Sequence, residues 1–331
     1  MSAATATSGT PCTPCIAGIG YAFPGASRTL RELHARGELE SDPALLERFG
    51  FDRVHVAEEE TPFDLALDAA RRLLADNAVD PESVGLLIWS GAPGTVAFST
   101  AADAERGALA LTTMDRFKYP ATRLQYELGL TNASVFALDQ LACTTLLAAV
   151  RVARAMCLAE GIERVLCVSS EFFPARAGRE AIWNATSDAA CAVLVERDGA
   201  RNRIAGAATV TKGYYWDHQA MRDEVVASYF PTARHAIDRA VAEAGWRRED
   251  VSWVIPHNVS ARSWEILLRL AALPNARLWT ANIARRGHTL AGDSFINLRD
   301  ALCAGDVGPG ERVLLFSYGF GAHWTAMAVE T

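Results

Sequence analysis

Leu67-Asp-Ala-Ala-Arg-Arg-Leu-Leu-Ala-Asp-Asn77 leads through Asp80-Pro-Glu-Ser83 into Val84-Gly-Leu-Leu-Ile-Trp89. The same pattern returns as Arg234-His-Ala-Ile-Asp-Arg-Ala-Val-Ala-Glu-Ala244, then Arg247-Arg-Glu-Asp250, then Val251-Ser-Trp-Val-Ile-Pro256. Each copy reads as an amphipathic helix, a short acidic turn and a buried strand. The spacing is the same, so Val84 answers to Val251 and Trp89 to Pro256. A second echo follows in the same order: Ile162-Glu-Arg-Val-Leu-Cys-Val-Ser169 and Gly310-Glu-Arg-Val-Leu-Leu-Phe-Ser317. Two echoes in one order predict an internal duplication. Strand-like runs at Cys15–Tyr21, Val135–Leu138, Cys191–Val195, Ile204–Val210 and Thr325–Val329 alternate with helical patterns at 63–77, 143–159 and 232–244. That alternation predicts α/β layers.

Composition narrows the function. The 331 residues are 50% hydrophobic with a net charge of −7, enough for a large core. No basic cluster exceeds two residues, which argues against nucleic acid and against a charged membrane surface as partners. No apolar run is expected to reach the ~20 residues of a membrane span. Met1–Thr10 carries neither the charged nor the apolar region of a signal peptide. The seven cysteines are scattered through apolar segments, as in a cytoplasmic protein with reduced thiols. Cys12-Thr-Pro-Cys15 has no second pair and reads as incidental. No His, Cys and carboxylate set has metal-ligand spacing, so no metal is expected.

Equivalent strand ends of a duplicated fold come together, and three segments of chemical interest lie at such ends. Asp139-Gln-Leu-Ala-Cys143 opens a long apolar helix pattern, with Leu146, Val150, Ala153 and Cys157 at helical spacing. A thiol at a helix N-terminus meets unpaired N–H groups and the positive end of the macrodipole, both of which favour thiolate. The alternative is a small buried core residue. His257 follows the strand Val251–Pro256, and His288 stands in Arg286-Gly-His288-Thr. Either imidazole could accept a thiol proton and return it to a leaving group. Asp293, five residues beyond His288, could orient the ring or cap the helix over 294–302.

On these residues the chain resembles the ketoacyl-ACP synthase III branch of the thiolase superfamily, from Ile16-Ala-Gly-Ile-Gly-Tyr-Ala-Phe-Pro24 to Tyr318-Gly-Phe-Gly-Ala-His-Trp324. The resemblance implies a thiolase-like, duplicated α/β fold in five αβαβα layers. It implies an N-terminal half, residues 1–200, with the nucleophilic Cys and a C-terminal half, 201–331, with the catalytic His residues. It also implies a homodimer. The family loads an acyl group from a CoA or carrier-protein thioester onto a cysteine, whose position falls on Cys143; its first histidine falls on His257. The backbone amides of Cys143 and Phe320 would form the oxyanion hole. No permanently bound cofactor is implied beyond the CoA or phosphopantetheine thioester of the substrate.

Two departures from the family pattern shape the functional expectation. Condensing members carry Gly-Asn-Thr where this chain has Gly287-His288-Thr289. His288 with Asp293 is similar to divergent acyltransferases and starter-unit enzymes of secondary metabolism. A base of that kind suits an alcohol, amine or thiol acceptor, so acyl transfer is expected ahead of decarboxylative condensation of a malonyl thioester. A catalytically silent partner subunit is the third reading, and the presence of Cys143 and both histidines argues against it. The second departure is Ala44 at the place of the family's adenine-stacking Trp, within Ser41-Asp-Pro-Ala44-Leu-Leu-Glu-Arg48. With Arg48, Ser260 and Arg262 as donor- and pantetheine-binding residues, a carrier-protein donor or a CoA held by its pantetheine arm is expected. The acyl pocket is expected to depend on the loop 92–118, with Phe98, Met114 and Phe117.

Overall fold

The computed structural model describes residues 12–91, 94–100, 113–173, 178–181 and 184–331. The duplication is written into its sheet. The first half supplies β1 (Cys15–Ala22), β4 (Leu86–Trp89), β5 (Ser134–Ala137), β6 (Arg164–Glu171) and β7 (Ala189–Glu196). The second supplies β8 (Arg203–Thr211), β9 (Trp253–Pro256), β10 (Arg277–Leu278), β11 (Arg312–Gly319) and β12 (His323–Glu330). In the first half the spatial order is β5-β4-β6-β7-β1, and in the second β10-β9-β11-β12-β8. Pairing runs parallel, parallel, antiparallel, antiparallel in both. The echoed segments therefore occupy matching places, β4 against β9 and β6 against β11. The two five-stranded sets meet edge to edge at one paired position, Cys15 opposite Arg203.

Alternation along each strand divides the core. Ile88, Val165 and Cys167 of the first set and Ile255, Val313 and Leu315 of the second face a shared middle layer, filled by helices Thr145–Glu160 and Asp293–Ala304. Leu87, Leu166 and Val168 face the opposite way, onto helix Pro62–Asp76. Val254, Leu314 and Phe316 face helices Arg222–Glu243 and Ala261–Leu270. The result is αβαβα. Strands buried on both faces read as continuous apolar runs rather than as alternating ones, which is why periodicity located them.

Ala142–Glu160 is long and apolar enough to cross a membrane by length and composition, a length the sequence reading denied to any segment. Its Leu146, Leu147, Val150, Ala153 and Cys157 are buried between the two sheets, as in a core helix, and Gly161 ends it in the left-handed conformation at φ 70°. The second-half helix expected from 232 begins ten residues earlier, at Arg222, and runs through Pro231. A two-stranded antiparallel sheet, β2 (Ala26–Thr29) with β3 (Arg53–Val56), has too little apolar length to stand out in the sequence. Of the loop expected to shape the acyl pocket, residues 92–93 and 101–112 lie outside the described residues. Phe98 stacks on Phe63 with centroids 5.2 Å apart, while Met114 and Phe117 are exposed.

Candidate active site

The turn into Cys143 is strained. Gln140 and Ala142 have φ of 65° and 47°, left-handed values that cost a non-glycine residue about 1–3 kcal/mol each. Gly319, the last residue of β11, makes room for this turn. A Cβ there would lie 2.4 Å from the Leu141 carbonyl oxygen and 3.1 Å from the Cys143 amide nitrogen. Cys143 sits in the 3-10 turn Ala142–Thr144, and the α-helix proper starts at Thr145. The thiol thus stands just outside the helix N-terminus rather than on its first turn, 8% exposed.

Cys143 Sγ lies 3.2 Å from His288 Nε2. His288 Nδ1 lies 2.5 Å from Asp293 Oδ2, so the three side chains form one chain of contacts across the two halves. Asp293 is the first residue of helix Asp293–Ala304 and not its cap; Gly292 holds the cap position. Its fully buried carboxylate is held by donors. The Asn258 amide donates to Oδ2 at 2.6 Å, and the Thr289 amide and hydroxyl both donate to Oδ1 at 2.6 Å. Burial alone would raise Asp293, yet the His288 charge and these donors hold it below the usual carboxylate range. Burial likewise opposes a charge on His288, but Asp293 and Cys143 outweigh it and push the imidazole up to about 10. The main chain of His288 is clamped too: its N–H donates to Ala185 O at 2.7 Å, and its C=O accepts from Ser187 N at 2.8 Å.

His257 is 3% exposed and stands beside this chain, its ring centroid 5.4 Å from that of His288. Ser317 bridges it to the nucleophile, with Oγ 3.1 Å from His257 Nδ1 and donating to the Cys143 carbonyl at 2.8 Å. The Tyr318 amide donates to His257 Nδ1 at 3.4 Å. Toward this amide Nδ1 is the acceptor, with the neutral ring's proton on Nε2; in the other tautomer Nδ1–H donates to Ser317, whose own hydrogen goes to Cys143 O. That Nε2 is buried without a partner among the described residues. Burial, helped by His288 and opposed by Asp293, pushes His257 down to about 3, so it stays neutral and offers an N–H.

Phe320 follows β11 at the turn into β12 and is half-exposed; its backbone is joined through Gly319 to the Cys143 turn. Arg48 ends helix Pro43–Arg48, and Ser260 caps helix Ala261–Leu270. The Ala261 amide donates to Phe49 O at 3.3 Å, which brings the Arg48 helix end beside Ser260 and Arg262. Both arginines are exposed and form no ion pair among the described residues. His323 bonds Thr211 Oγ1 at 2.9 Å. Asp188 forms a buried bidentate pair with Arg179 at 2.7 and 2.9 Å and also accepts from the Ala57 and Phe173 amides.

The family description "3-Oxoacyl-[acyl-carrier-protein (ACP)] synthase III" matches residues 139–213, and its C-terminal counterpart matches 241–331, together half of the chain. This chain belongs to the 3-oxoacyl-ACP synthase III family. Among family members it is similar to the Beta-ketoacyl-[acyl-carrier-protein] synthase III of Rhodobacter capsulatus, 25% identical over 95% of this chain and 98% of the relative. The 3-oxoacyl-[acyl-carrier-protein] synthase III of Aquifex aeolicus VF5 has the same fold, with a TM-score of 0.79 at 22% identity over 96% of this chain and 100% of that one. So does ChlB3, named an acyltransferase, with a TM-score of 0.79 at 18% identity over 96% and 98%. The family's enzymes are transferases, and the thiolase-like α/β architecture is common to all three.

Ser317 and Thr289, which sequence reading passed over, hold the site together here. So does Asn258, whose side chain donates to Gly287 O at 2.7 Å. Thr289 and Asn258 each adjoin a histidine in the chain, a usable signal. Ser317 had none beyond ending an echoed strand.

Proposed function

We propose that this protein is an acyltransferase working by a two-step exchange through an acyl-Cys143 thioester. The observation that carries the reading is the Cys143–His288–Asp293 chain of contacts, with His288 where condensing members place Asn. In the first step the thiol proton passes to His288 Nε2 and sulfur attacks the donor thioester. The bond to the donor's sulfur breaks, and that sulfur leaves with the proton from His288. The neutral His257 Nε2–H and the amides of Cys143 and Phe320 are the donors for the oxyanion that forms. Asp293 orients His288 and stabilises its imidazolium, the third role in a nucleophile–base–orienter set. In the second step the acyl group moves to an alcohol, amine or thiol in secondary or fatty-acid-type metabolism.

The donor is an acyl-carrier-protein or CoA thioester, met at the mouth by Arg48, Ser260 and Arg262. The work divides between residues 1–200, with the nucleophile, and 201–331, with the histidines. A homodimer suits the exposed edge strand β5, where Phe136 is 43% accessible; an open edge with an apolar side chain is a pairing surface.

The second reading is decarboxylative condensation with a malonyl thioester. It is favoured by the relatives' name, Beta-ketoacyl-[acyl-carrier-protein] synthase III, and two histidines can stabilise an enolate. Intact-protein mass spectrometry separates the two. Wild type and Cys143→Ala are incubated with a panel of acyl-CoA and acyl-carrier thioesters, and acceptors are then added. A Cys143-dependent adduct discharged by an alcohol, amine or thiol without CO2 supports acyl transfer. Discharge only by malonyl-ACP with CO2 replaces it with condensation.

A further inference from the structure

Glu171 is the last residue of β6 and pairs in register with Ala189 of β7. Parallel strands β4, β5 and β6 end at the same edge of the sheet, and the chain leaving β5 leads directly to Cys143. The same end of β6 packs against Leu290–Gly292, the turn that joins His288 to Asp293. Among the described residues, the charged and titratable groups that act on Glu171 are His288 and Asp139. Its side chain is half-buried and has no hydrogen bond or ion pair among the described residues. A structural carboxylate in such a place is normally paired. Asp293 and Asp188, close by in the fold, each take several donors. Among the described residues Glu171 takes none, at the reacting end of the sheet.

We propose that Glu171 is a second catalytic group of this site, the base that takes the proton of an alcohol or amine acceptor as it attacks the Cys143 thioester. This rests on the acyl-transfer reading above and assigns the acceptor to nucleophiles bearing a removable O–H or N–H proton. Burial pushes the Glu171 carboxyl up to about 7, against the pull of His288 and with the push of Asp139. A base of that strength is matched to neutral pH. His288, pushed up to about 10 against burial by Asp293 and Cys143, gives its proton to the donor's sulfur in the first step and takes back the one that Glu171 removes from the acceptor. Two neighbouring groups driven apart in this way divide the proton work between them.

The second step then balances. The acceptor's heteroatom bonds to the acyl carbon, its proton goes to Glu171, the carbon–sulfur bond breaks, and the Cys143 sulfur leaves as thiolate. The Glu171 proton then passes to His288, directly or through water, replacing the one that left with the donor's sulfur, and the Cys143–His288 pair is reset without an added reactant.

Glu171→Gln keeps the shape and removes the base. The enzyme is acylated with acetyl-S-N-acetylcysteamine, and the adduct is followed by intact mass after adding ethanol, ethanolamine or hydroxylamine over pH 5–9. Hydroxylamine attacks thioesters without a base and reports an intact acyl-enzyme. The expected result has E171Q acylating at the wild-type rate and discharging normally to hydroxylamine. Its discharge to ethanol or ethanolamine falls about 100-fold or more, and the rise of the wild-type rate through pH about 7 is lost. Unimpaired discharge of E171Q with the wild-type pH profile overturns the role of Glu171 while leaving acyl transfer standing. Loss of acylation in E171Q also overturns it, because Glu171 would then serve the fold or the first step. A wild-type adduct that only malonyl-ACP discharges, with CO2, overturns acyl transfer and the assigned acceptor together.

Discussion

Replacing Asp293 with Asn changes one atom at the best-connected carboxylate of the site. Four donors converge on it: His288 Nδ1 and the Asn258 amide on Oδ2, and the Thr289 amide and hydroxyl on Oδ1. Asparagine keeps one acceptor oxygen, so one of the two pairs must face an NH2 group. If Oδ1 is kept, the Asn258 amide and His288 Nδ1–H are stranded. Each orphaned buried donor costs about 1–3 kcal/mol, and the sum agrees with the ~3–5 kcal/mol for breaking a buried charge pair. Losing the Asp293 charge also removes the stronger of the two groups that hold His288 up, leaving burial opposed by Cys143 alone and the imidazole well below its wild-type value. Thioester acylation of Cys143 should then fall about 10³-fold, in the range for losing an orienting carboxylate. The assay is paired: urea unfolding for stability, and stopped-flow alkylation of Cys143 by iodoacetamide against pH for the proton on His288. A folded D293N with the wild-type alkylation rate and pH profile would refute the view that Asp293 governs His288.

Arg179→Met leaves Asp188 charged and buried with only the Ala57 and Phe173 amides, and should destabilise by about 3–5 kcal/mol in urea. Gly319→Ala puts a methyl 2.4 Å from Leu141 O; displacement of the Cys143 turn should slow acylation at least tenfold for about 1–3 kcal/mol of stability, read by intact mass and by melting. Stability should peak near pH 6.5. His257, driven down to about 3, binds its proton more readily unfolded, so stability falls as pH drops below its unfolded value. His288, driven up to about 10, binds its proton more readily folded, so its contribution is complete below 6.5 and is lost as pH climbs toward 10. Each limb has a slope of up to about 1.4 kcal/mol per pH unit, and urea midpoints from pH 4 to 10 in H257Q should flatten the acid limb alone.

The layers were legible because buried strands and amphipathic helices carry their periods in the chain, and because the duplication repeated them. β4 and β9 could be matched residue by residue before any coordinates. The β2–β3 sheet escaped notice because its short strands, Ala-Ser-Arg-Thr and Arg-Val-His-Val, are half polar and take their burial from a loop far away in sequence. Cys143, His288 and Asp293 were legible by residue type and by their places at strand ends. What could not be read was direction. The 3-10 turn before the helix depends on Gly319, nearly the whole second half away. The neutral state of His257 depends on its burial and on His288 beside it. Glu171 went unremarked because its character comes from burial near His288, which no linear pattern marks.

The contact between Cys143 and His288 spans 145 residues, and this separation has a consequence during synthesis. The thiol leaves the ribosome long before its base exists. At about 5–20 residues per second, some 7–30 seconds pass before His288 is even polymerised. Until the second sheet set docks, the cysteine has no imidazole to take its proton and no Gly319 to shape its turn. A growing chain is therefore chemically quiet among the thioesters of the cell, and reactivity switches on when the last strands close.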